Sequence, residues 1–187
     1  MKGIIFNLAE EVVTTAYGEG TWDSLLDAAG LDGAYTSLGS YPDEHLFALV
    51  SAAATALDRP GDDVVRDIGE GAMPLLAERY PEFFSGHNDA RSFVLTLNEV
   101  IHAEVRKLYP NADVPGFGFD TSKADVLVLS YDSKRKLCSL AEGFISGAAT
   151  HYGQRVEIDQ PACMKRGDDR CLIRCAFSSP DRADGGR

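Results

Sequence analysis

The sequence predicts an α+β protein in which a helical N-terminal lobe precedes a lobe of antiparallel sheet and helix. Apolar residues recur at helical spacing through most of the first 109 positions, which is typical of amphipathic helices. The apolar run at 124–131 and the hairpin pattern at 155–177 indicate strands. The 187 residues are enough to bury a ligand-sized core. We therefore expect a helical lobe at about 1–65 and a ligand-holding lobe at about 66–177.

The N-terminal half is expected to be a series of helices separated by glycine and proline. Its apolar stripes predict helices at 4–17, 22–29, 42–57, 62–80 and 91–109. Two glycines and Pro74 fall inside the fourth helix, and a proline removes a backbone donor. We therefore expect that helix to bend or break near Met73. Asn88 or Asp89 is a suitable N-cap for the fifth.

The C-terminal half is expected to combine strands with one helix. After a loop at 111–120, the predicted elements are a strand at 124–131, a helix at 137–148, and hairpin strands at 155–164 and 170–177. Residues 178–187 have almost no apolar side chains. We therefore expect one domain over residues 1–177, followed by a disordered tail at 178–187.

The composition disfavours several classes of partner. The chain has 18 basic and 29 acidic side chains and a net charge of −11, which argues against nucleic acid and anionic membrane surfaces. No apolar run approaches the roughly 20 residues of a membrane-spanning helix, and the first residues lack a signal-peptide pattern. We expect a cytoplasmic protein. Its four cysteines are therefore interpreted as thiols or metal ligands in preference to structural disulfides.

Two short stretches suggest a bound ligand. His102 lies at the edge of the apolar stripe of the helix predicted at 91–109, and imidazole is a common metal ligand. Tyr131, Ser133 and Arg135 alternate along the predicted strand end, so an extended chain would direct two hydroxyls and a guanidinium to one side. Such donors suit carboxylates or phosphates. Each stretch alone also fits a packed histidine or a polar strand end. Together they fit heme b, which has an apolar body, an axial metal and acidic propionates.

These residues and the length of the chain resemble the heme-nitric oxide/oxygen-binding (H-NOX) domain, the family that includes the heme domain of soluble guanylate cyclase. The likeness extends from Met1-Lys2-Gly3-Ile4-Ile5 to Phe177. It implies the H-NOX fold with heme b as the cofactor. It also implies that His102 is the axial ligand of the iron, and that Tyr131, Ser133 and Arg135 bind the propionates.

The resemblance further implies which side chains line the heme pocket. Pro115 matches a proline that presses on the heme in several members of the family. We expect the pocket to include Ile5, Leu8, Ala9, Ala72, Met73, Pro115, Leu140 and Phe144. Members that bind oxygen carry a distal tyrosine at the position of Leu140. The apolar wall expected here favours nitric oxide and carbon monoxide as ligands and excludes oxygen from the ferrous protein.

The four cysteines form a second group. Cys163 and Cys171 are equally spaced about Gly167, which places them opposite each other in the predicted hairpin, and Cys171 and Cys175 share a strand face. Cys138 could reach these three from the start of the preceding helix. Four converging thiolates could bind a zinc ion, as in some H-NOX members with a similar pattern, and close thiols also permit reversible oxidation. Four partly buried free cysteines are the alternative.

The predicted function is a heme-based nitric oxide sensor without enzymatic activity, since no arrangement of catalytic residues stands out. The resemblance implies that such a chain regulates a separate signalling enzyme, commonly a histidine kinase or a cyclic-di-GMP enzyme. Two other classes stay open. One is a redox sensor centred on zinc and the cysteines. The other is a small-molecule-binding module of the vinyl-reductase-like type, which shares the pattern of Cys163, Arg166-Gly167-Asp168 and Cys171. The N-terminal helices and His102 favour the H-NOX family.

Overall fold

The computed structural model describes residues 1–109 and 112–179. The first helices are α1 (Gly3–Tyr17), α2 (Thr21–Ala29), α3 (Asp43–Leu57), α4 (Gly61–Arg79), α5 (Pro81–Phe84) and α6 (Ala90–Val94). A π-helical segment (Leu97–Ile101) then leads into α7 (His102–Leu108). The remaining elements are β1 (Gly116–Asp120), β2 (Leu127–Asp132), α8 (Cys138–His151), β3 (Arg155–Ala162), a 3-10 turn (Met164–Arg166) and β4 (Cys171–Ser178). This order confirms the predicted α+β fold. None of these described helices combines the length and apolar character needed to cross a membrane.

The strands form one antiparallel sheet in the order β1-β2-β4-β3. Tyr131 on β2 lies opposite Phe117 on β1 and Cys171 on β4. Alternate residues of the central strands, such as Leu129 and Ile173, are fully buried, because successive side chains of a strand point to opposite faces. The buried face of the sheet and α8 share one apolar core.

Two apolar cores lie on either side of α4. The first joins α1, α2 and α3 through residues such as Phe6, Trp22 and Leu46. The second joins the sheet, α6 and α8. Val64 near the start of α4 belongs to the first core, and Met73 near its end belongs to the second. Helix α4 therefore connects the two lobes.

Close contact between α4 and α8 depends on glycine. A Cβ atom added to Gly143 on α8 would lie 2.0 Å from the carbonyl oxygen of Arg66 on α4. A Cβ on Gly69 of α4 would lie 2.6 Å from the carbonyl oxygen of Leu140 on α8. Because backbone atoms occupy these positions, a side chain there would force the helices apart. The Arg66 guanidinium also donates to the buried Glu142 carboxylate on α8 at 2.8 Å.

The expected break in the fourth helix does not occur, since α4 continues through Pro74 to Arg79. Pro74 lacks the N–H that would donate to the Glu70 carbonyl, so one helical hydrogen bond is lost. Gly147 of α8 packs against that same carbonyl. Burial of α4 between the two cores therefore outweighs one missing hydrogen bond.

The single helix predicted at 91–109 is wrong in detail, because the segment divides into α6, the π-helical segment and α7. The predicted cap is present, since Asp89 Oδ1 accepts a hydrogen bond from the Ser92 N–H at 2.7 Å. The Thr96 hydroxyl donates to the Phe93 carbonyl at 2.7 Å and competes there with the regular backbone bonds. The N–H of His102 then donates to the Leu97 carbonyl, five residues back, which is the π-helical pattern.

Three predictions about the C-terminal half need correction. The loop predicted at 111–120 contains strand β1, in which glycines hid the alternation of Phe117 and Phe119. Strand β2 begins at Leu127 rather than at 124. Ser178 ends β4 and is therefore not part of a tail, while 180–187 lie outside the described residues. The segment Gly116–Asp120 forms a strand because its backbone pairs with β2.

Replacing Gly143 tests the helix contact that joins the lobes. We expect Gly143→Ala to lower the free energy of unfolding by about 1–3 kcal/mol, because its methyl group would collide with the Arg66 carbonyl. Urea unfolding followed by circular dichroism measures this change. Gly86→Ala is the matched control, since open space surrounds its Cβ position. Equal unfolding free energies for the two variants would contradict the close contact.

Candidate functional site

A cavity of about 510 Å³ lies between the lobes, within the usual size range of small-molecule sites. Its wall combines residues from α1, α4, the π-helical segment, α7, β1, β2 and α8. Most of the lining side chains are apolar, and the polar ones include His102 and the residues around Arg135. The site can therefore hold a large apolar ligand that carries polar groups at one end.

His102 is the first residue of α7 and lines the cavity. Its Nδ1 atom is buried and has no hydrogen-bond partner among the described residues. Burial, and then the positive charge of Arg106, lower the pKa of His102 to about 4. The imidazole is therefore neutral at neutral pH, which leaves one ring nitrogen with a free lone pair for a metal ion.

Tyr131, Ser133 and Arg135 all line one part of the cavity. The structure corrects the expected arrangement, because only Tyr131 of the three lies in β2, and Ser133 begins a turn. The Lys136 N–H donates to the Ser133 carbonyl at 3.0 Å, and the Arg135 N–H donates to Ser133 Oγ at 3.3 Å. The Tyr131 hydroxyl accepts a hydrogen bond from the Leu137 N–H at 3.1 Å. A closed turn therefore brings the three side chains together.

Arg135 joins this turn to the N-terminal lobe. Its Nε donates to Asp43 Oδ2 at 2.7 Å, and its Nη1 donates to the Asp113 carbonyl at 2.7 Å. The Met1 ammonium donates to the other oxygen of Asp43 at 2.6 Å. Burial alone would raise the pKa of Asp43, but Met1 and Arg135 hold that pKa below its usual value. Arg135 therefore lies at the cavity as a fixed cation.

The expected pocket residues separate into two groups. Six of them line the cavity, namely Ile5, Leu8, Met73, Pro115, Leu140 and Phe144. Ala9 and Ala72 are buried but do not line it. Ala9 follows the lining residue Leu8, and Ala72 precedes the lining residue Met73. Neighbouring side chains on a helix differ in direction by about 100°, so these two alanines point away from the cavity. Ala9 accordingly packs in the first core.

Sequence reasoning missed several lining residues. Tyr109 is buried at the end of α7, and Tyr80 lies at the end of α4. Burial, followed by a hydrogen bond with the Tyr80 hydroxyl, raises the pKa of Tyr109 to about 12. Tyr109 is seven residues after His102, so helical spacing could have revealed it. Phe117, whose ring centroid lies 5.7 Å from that of His102, was missed because β1 was missed.

Three of the four cysteines converge. We call Cys138, Cys163 and Cys171 the thiol cluster, since their sulfur atoms lie within 4.8 Å of one another. The Sγ atom of Cys163 is 3.7 Å from that of Cys138 and 3.8 Å from that of Cys171. Cys175 is buried on β4, the strand that also carries Cys171, but it lies apart from the cluster. Four residues along a strand span about 13 Å. The expected set of four converging thiols is therefore reduced to three.

The thiols of the cluster differ in acidity. Burial raises the pKa of Cys171 to about 12. Burial opposes ionisation of Cys163 as well, but a hydrogen bond from the Lys165 N–H and its neighbouring thiols lower the pKa of Cys163 overall. The distances fit a metal, because an ion bound to sulfur at about 2.3 Å in a tetrahedron separates the sulfurs by about 3.8 Å.

The comparisons with a family model and with solved structures agree on one family. The family model described as Haem-NO-binding matches residues 2–160. An H-NOX protein from S. oneidensis in the Fe(II)NO ligation state is 36% identical with a TM-score of 0.89, and the match covers 96% of this chain and 100% of that one. An unliganded Fe(II) H-NOX protein from K. algicida is 25% identical with a TM-score of 0.85, covering 96% and 98%. Comparison with curated proteins gave no match.

A more distant structure supports the fold alone. An oxygen-binding H-NOX domain related to soluble guanylate cyclases is 20% identical, with a TM-score of 0.81 and 96% of each chain covered. The family match and the 36% identical structure extend through the helical lobe as well as the sheet. The resemblance seen in the sequence is thereby confirmed, and the chain belongs to the Haem-NO-binding, or H-NOX, family.

Proposed function

We propose that this chain is a heme-based nitric oxide sensor that regulates a separate signalling enzyme and has no catalytic activity of its own. One observation carries the proposal. A neutral imidazole, whose Nδ1 has no hydrogen-bond partner among the described residues, lies in the wall of a large apolar cavity that has a cluster of polar donors at one part. Heme supplies an iron that binds diatomic gases, and the solved H-NOX relatives include Fe(II)NO and Fe(II)CO forms.

His102 would hold the iron, because it is the histidine that lines the cavity. Nothing among the described side chains accepts a hydrogen bond from Nδ1. A metal-bound histidine usually donates its second N–H to a carboxylate or carbonyl, which strengthens it as a ligand. Nδ1 would carry that second N–H if Nε2 held the iron.

Tyr131, Ser133 and Arg135 would hold the propionates. Arg135 is only 16% exposed and is fixed by Asp43, so little conformational entropy is lost when it binds an anion. A propionate would compete with the Asp113 carbonyl, which occupies one guanidinium nitrogen. The two hydroxyls add neutral donors beside the charge.

The cavity wall supports nitric oxide over oxygen. Bound oxygen carries partial negative charge and needs a distal hydrogen-bond donor, while nitric oxide needs much less. Leu140, Met73 and Phe144 offer no donor. We therefore propose that nitric oxide and carbon monoxide are the ligands.

The segment that carries His102 could transmit the signal. The π-helical segment ends directly before His102, and such segments are often found at functional sites. On the same stretch, the apolar side chains of Val100 and Leu108 are 44% and 52% exposed. A shift of α7 would change the apolar surface offered to a partner protein. A histidine kinase or a cyclic-di-GMP enzyme is the partner that the family resemblance suggests.

The thiol cluster supports a second function, which is zinc binding with a redox response. Three buried thiols can bind zinc when their sulfur atoms converge, and here two of the three sulfur–sulfur distances are close to the tetrahedral value. Cys175 lies apart, so water or another small ligand would complete the ion's coordination. A two-electron oxidant such as hydrogen peroxide, which is itself reduced to water, would join two of the thiols in a disulfide and release the metal.

An absorption spectrum tests the sensor directly. We expect the ferrous protein to show a strong Soret band that shifts when nitric oxide or carbon monoxide is added and stays unchanged in air. His102→Ala should lose stable heme unless imidazole is added, because the iron then has no protein ligand. A stable oxygen complex in the unaltered protein would contradict the proposed ligand choice. A normal five-coordinate ferrous spectrum in the variant would remove His102 from the site.

Arg135→Ala tests the propionate end of the site. Hydrogen bonds to charged groups contribute about 1.5–3 kcal/mol, so we expect the variant to lose heme about tenfold faster or more. Transfer of ferric heme to apomyoglobin measures this rate. Arg174→Ala is the matched control, because Arg174 also binds a carboxylate but is exposed on β4. Equal rates for the two variants would argue that Arg135 does not contact the propionates.

The pH dependence of the heme-free protein tests the burial of His102. Folding lowers the pKa of this imidazole from 6.5 to about 4, so between these values the unfolded chain binds a proton that the folded chain does not. Protonation of this histidine therefore favours the unfolded chain, and the free energy of unfolding decreases as the pH falls from 6.5 toward 4. In the His102→Leu variant, we expect the free energy of unfolding to decrease less over this pH range. Urea unfolding at several pH values measures it. Parallel pH profiles for both proteins would contradict the lowered pKa.

Metal analysis tests the thiol cluster. Protein purified under reducing conditions should carry about one zinc ion per chain, as one three-thiol site requires. We expect Cys138→Ala and Cys163→Ala to lose this zinc. Cys175→Ala should keep it, since that thiol is also buried but lies apart. Absence of zinc from carefully reduced protein would refute this second function.

A further inference from the structure

One short segment connects the polar end of the heme cavity to the thiol cluster. The segment runs from Tyr131 to Cys138 and carries Ser133 and Arg135 between its ends. Tyr131 lines the cavity and lies opposite Cys171 in the sheet. At the other end, the Sγ atom of Cys138 lies 3.7 Å from the Sγ atom of Cys163. Both ends of the segment are thus held at the thiol cluster, and its middle faces the cavity.

Internal hydrogen bonds leave this segment little freedom. The Tyr131 hydroxyl accepts from the N–H of Leu137, the residue directly before Cys138. The Lys136 N–H closes the turn on the Ser133 carbonyl. Lys136 itself adopts a positive φ of 53°, a conformation that side chains rarely take. A displacement of Cys138 therefore moves the Tyr131 hydroxyl and the turn that holds Arg135.

The cluster is also anchored on its far side. Lys136 Nζ donates to the Met164 carbonyl at 3.4 Å, and the Met164 N–H donates to Cys171 Sγ at 3.4 Å. Lys165 forms an ion pair with Asp62 on α4. Without a metal, the thiols contact each other only through weak sulfur hydrogen bonds. A bound ion would replace these with three strong bonds and would fix the position of Cys138 relative to the sheet.

We propose that the thiol cluster and the segment from Tyr131 to Cys138 form one coupled unit, in which zinc at the cluster strengthens the binding of heme in the cavity. This inference rests on the proposed heme and zinc sites. Zinc restrains both ends of the segment and thereby reduces the entropy that Ser133 and Arg135 lose when they bind propionates. By thermodynamic reciprocity, heme must strengthen zinc binding by the same factor.

The experiment compares reduced protein in zinc-loaded and chelator-treated forms. Transfer of ferric heme to apomyoglobin gives the rate of heme loss. Competition with a chromophoric chelator gives the dissociation constant of zinc, for heme-loaded and heme-free protein. Coupling free energies between sites correspond to factors of about 5 to 150. We expect zinc to slow heme loss at least about fivefold, and heme to lower the zinc dissociation constant by a similar factor.

Two cysteine variants separate coupling from unrelated effects of zinc. Cys138→Ala removes the zinc ligand that lies on the segment, so the cluster should bind no zinc and heme loss from this variant should not respond to zinc. Cys175→Ala should keep the full response, because Cys175 pairs with Leu127 and Ile158 at the other end of the sheet. An equal response in both variants would show that zinc acts elsewhere and would overturn the proposal.

The outcomes distinguish this inference from the proposed function. Protein without a Soret band would contradict the heme site itself. Protein with a normal Soret band that binds no zinc, or that loses heme at the same rate with and without zinc, would overturn the coupling and leave the sensor intact. A zinc dissociation constant that does not respond to heme would also overturn it, since reciprocity is required at equilibrium.

Discussion

The half-buried imidazole of His102, whose Nδ1 atom faces away from solvent beside a large apolar cavity, is the constraint on which the rest of the structure depends. A buried polar atom without a partner costs about 1–3 kcal/mol, and His102 Nδ1 has none among the described residues. A cavity of about 510 Å³ also forfeits the dispersion contacts of a packed interior. In the proposed function, the body of heme would fill this space and His102 would hold its iron, which would offset the cost of the cavity.

The shape of this cavity depends on how the two lobes meet. Gly143 and Gly69 let the backbones of α4 and α8 approach so closely that no side chain fits between them. Asp43, from the helical lobe, then binds Arg135 from the other lobe at the edge of the cavity. Cavity residues such as Ile5 and Phe144 lie on opposite lobes. A small change at the helix contact would therefore alter the space available to the ligand.

Several features were predictable because they depend on local sequence. Apolar periodicity and the flanking glycines and prolines predicted α1, α2 and α3 with nearly correct ends. Asn88 or Asp89 was predicted as a cap because short polar side chains suit that position, and Asp89 is the residue that caps the helix. The family was recognised from His102 and the motif that ends at Arg135, and the comparisons confirmed it.

The sequence alone thus determined the family, the α+β class and the residue types that a heme ligand would require. Tertiary structure alone decided that 91–109 contains a π-helical segment, that Phe117 lies on a strand beside His102, and that Cys175 lies apart from the other thiols. Local patterns specify which side of an element is apolar. They do not specify distances between residues remote in sequence, because those distances depend on how whole elements pack against one another.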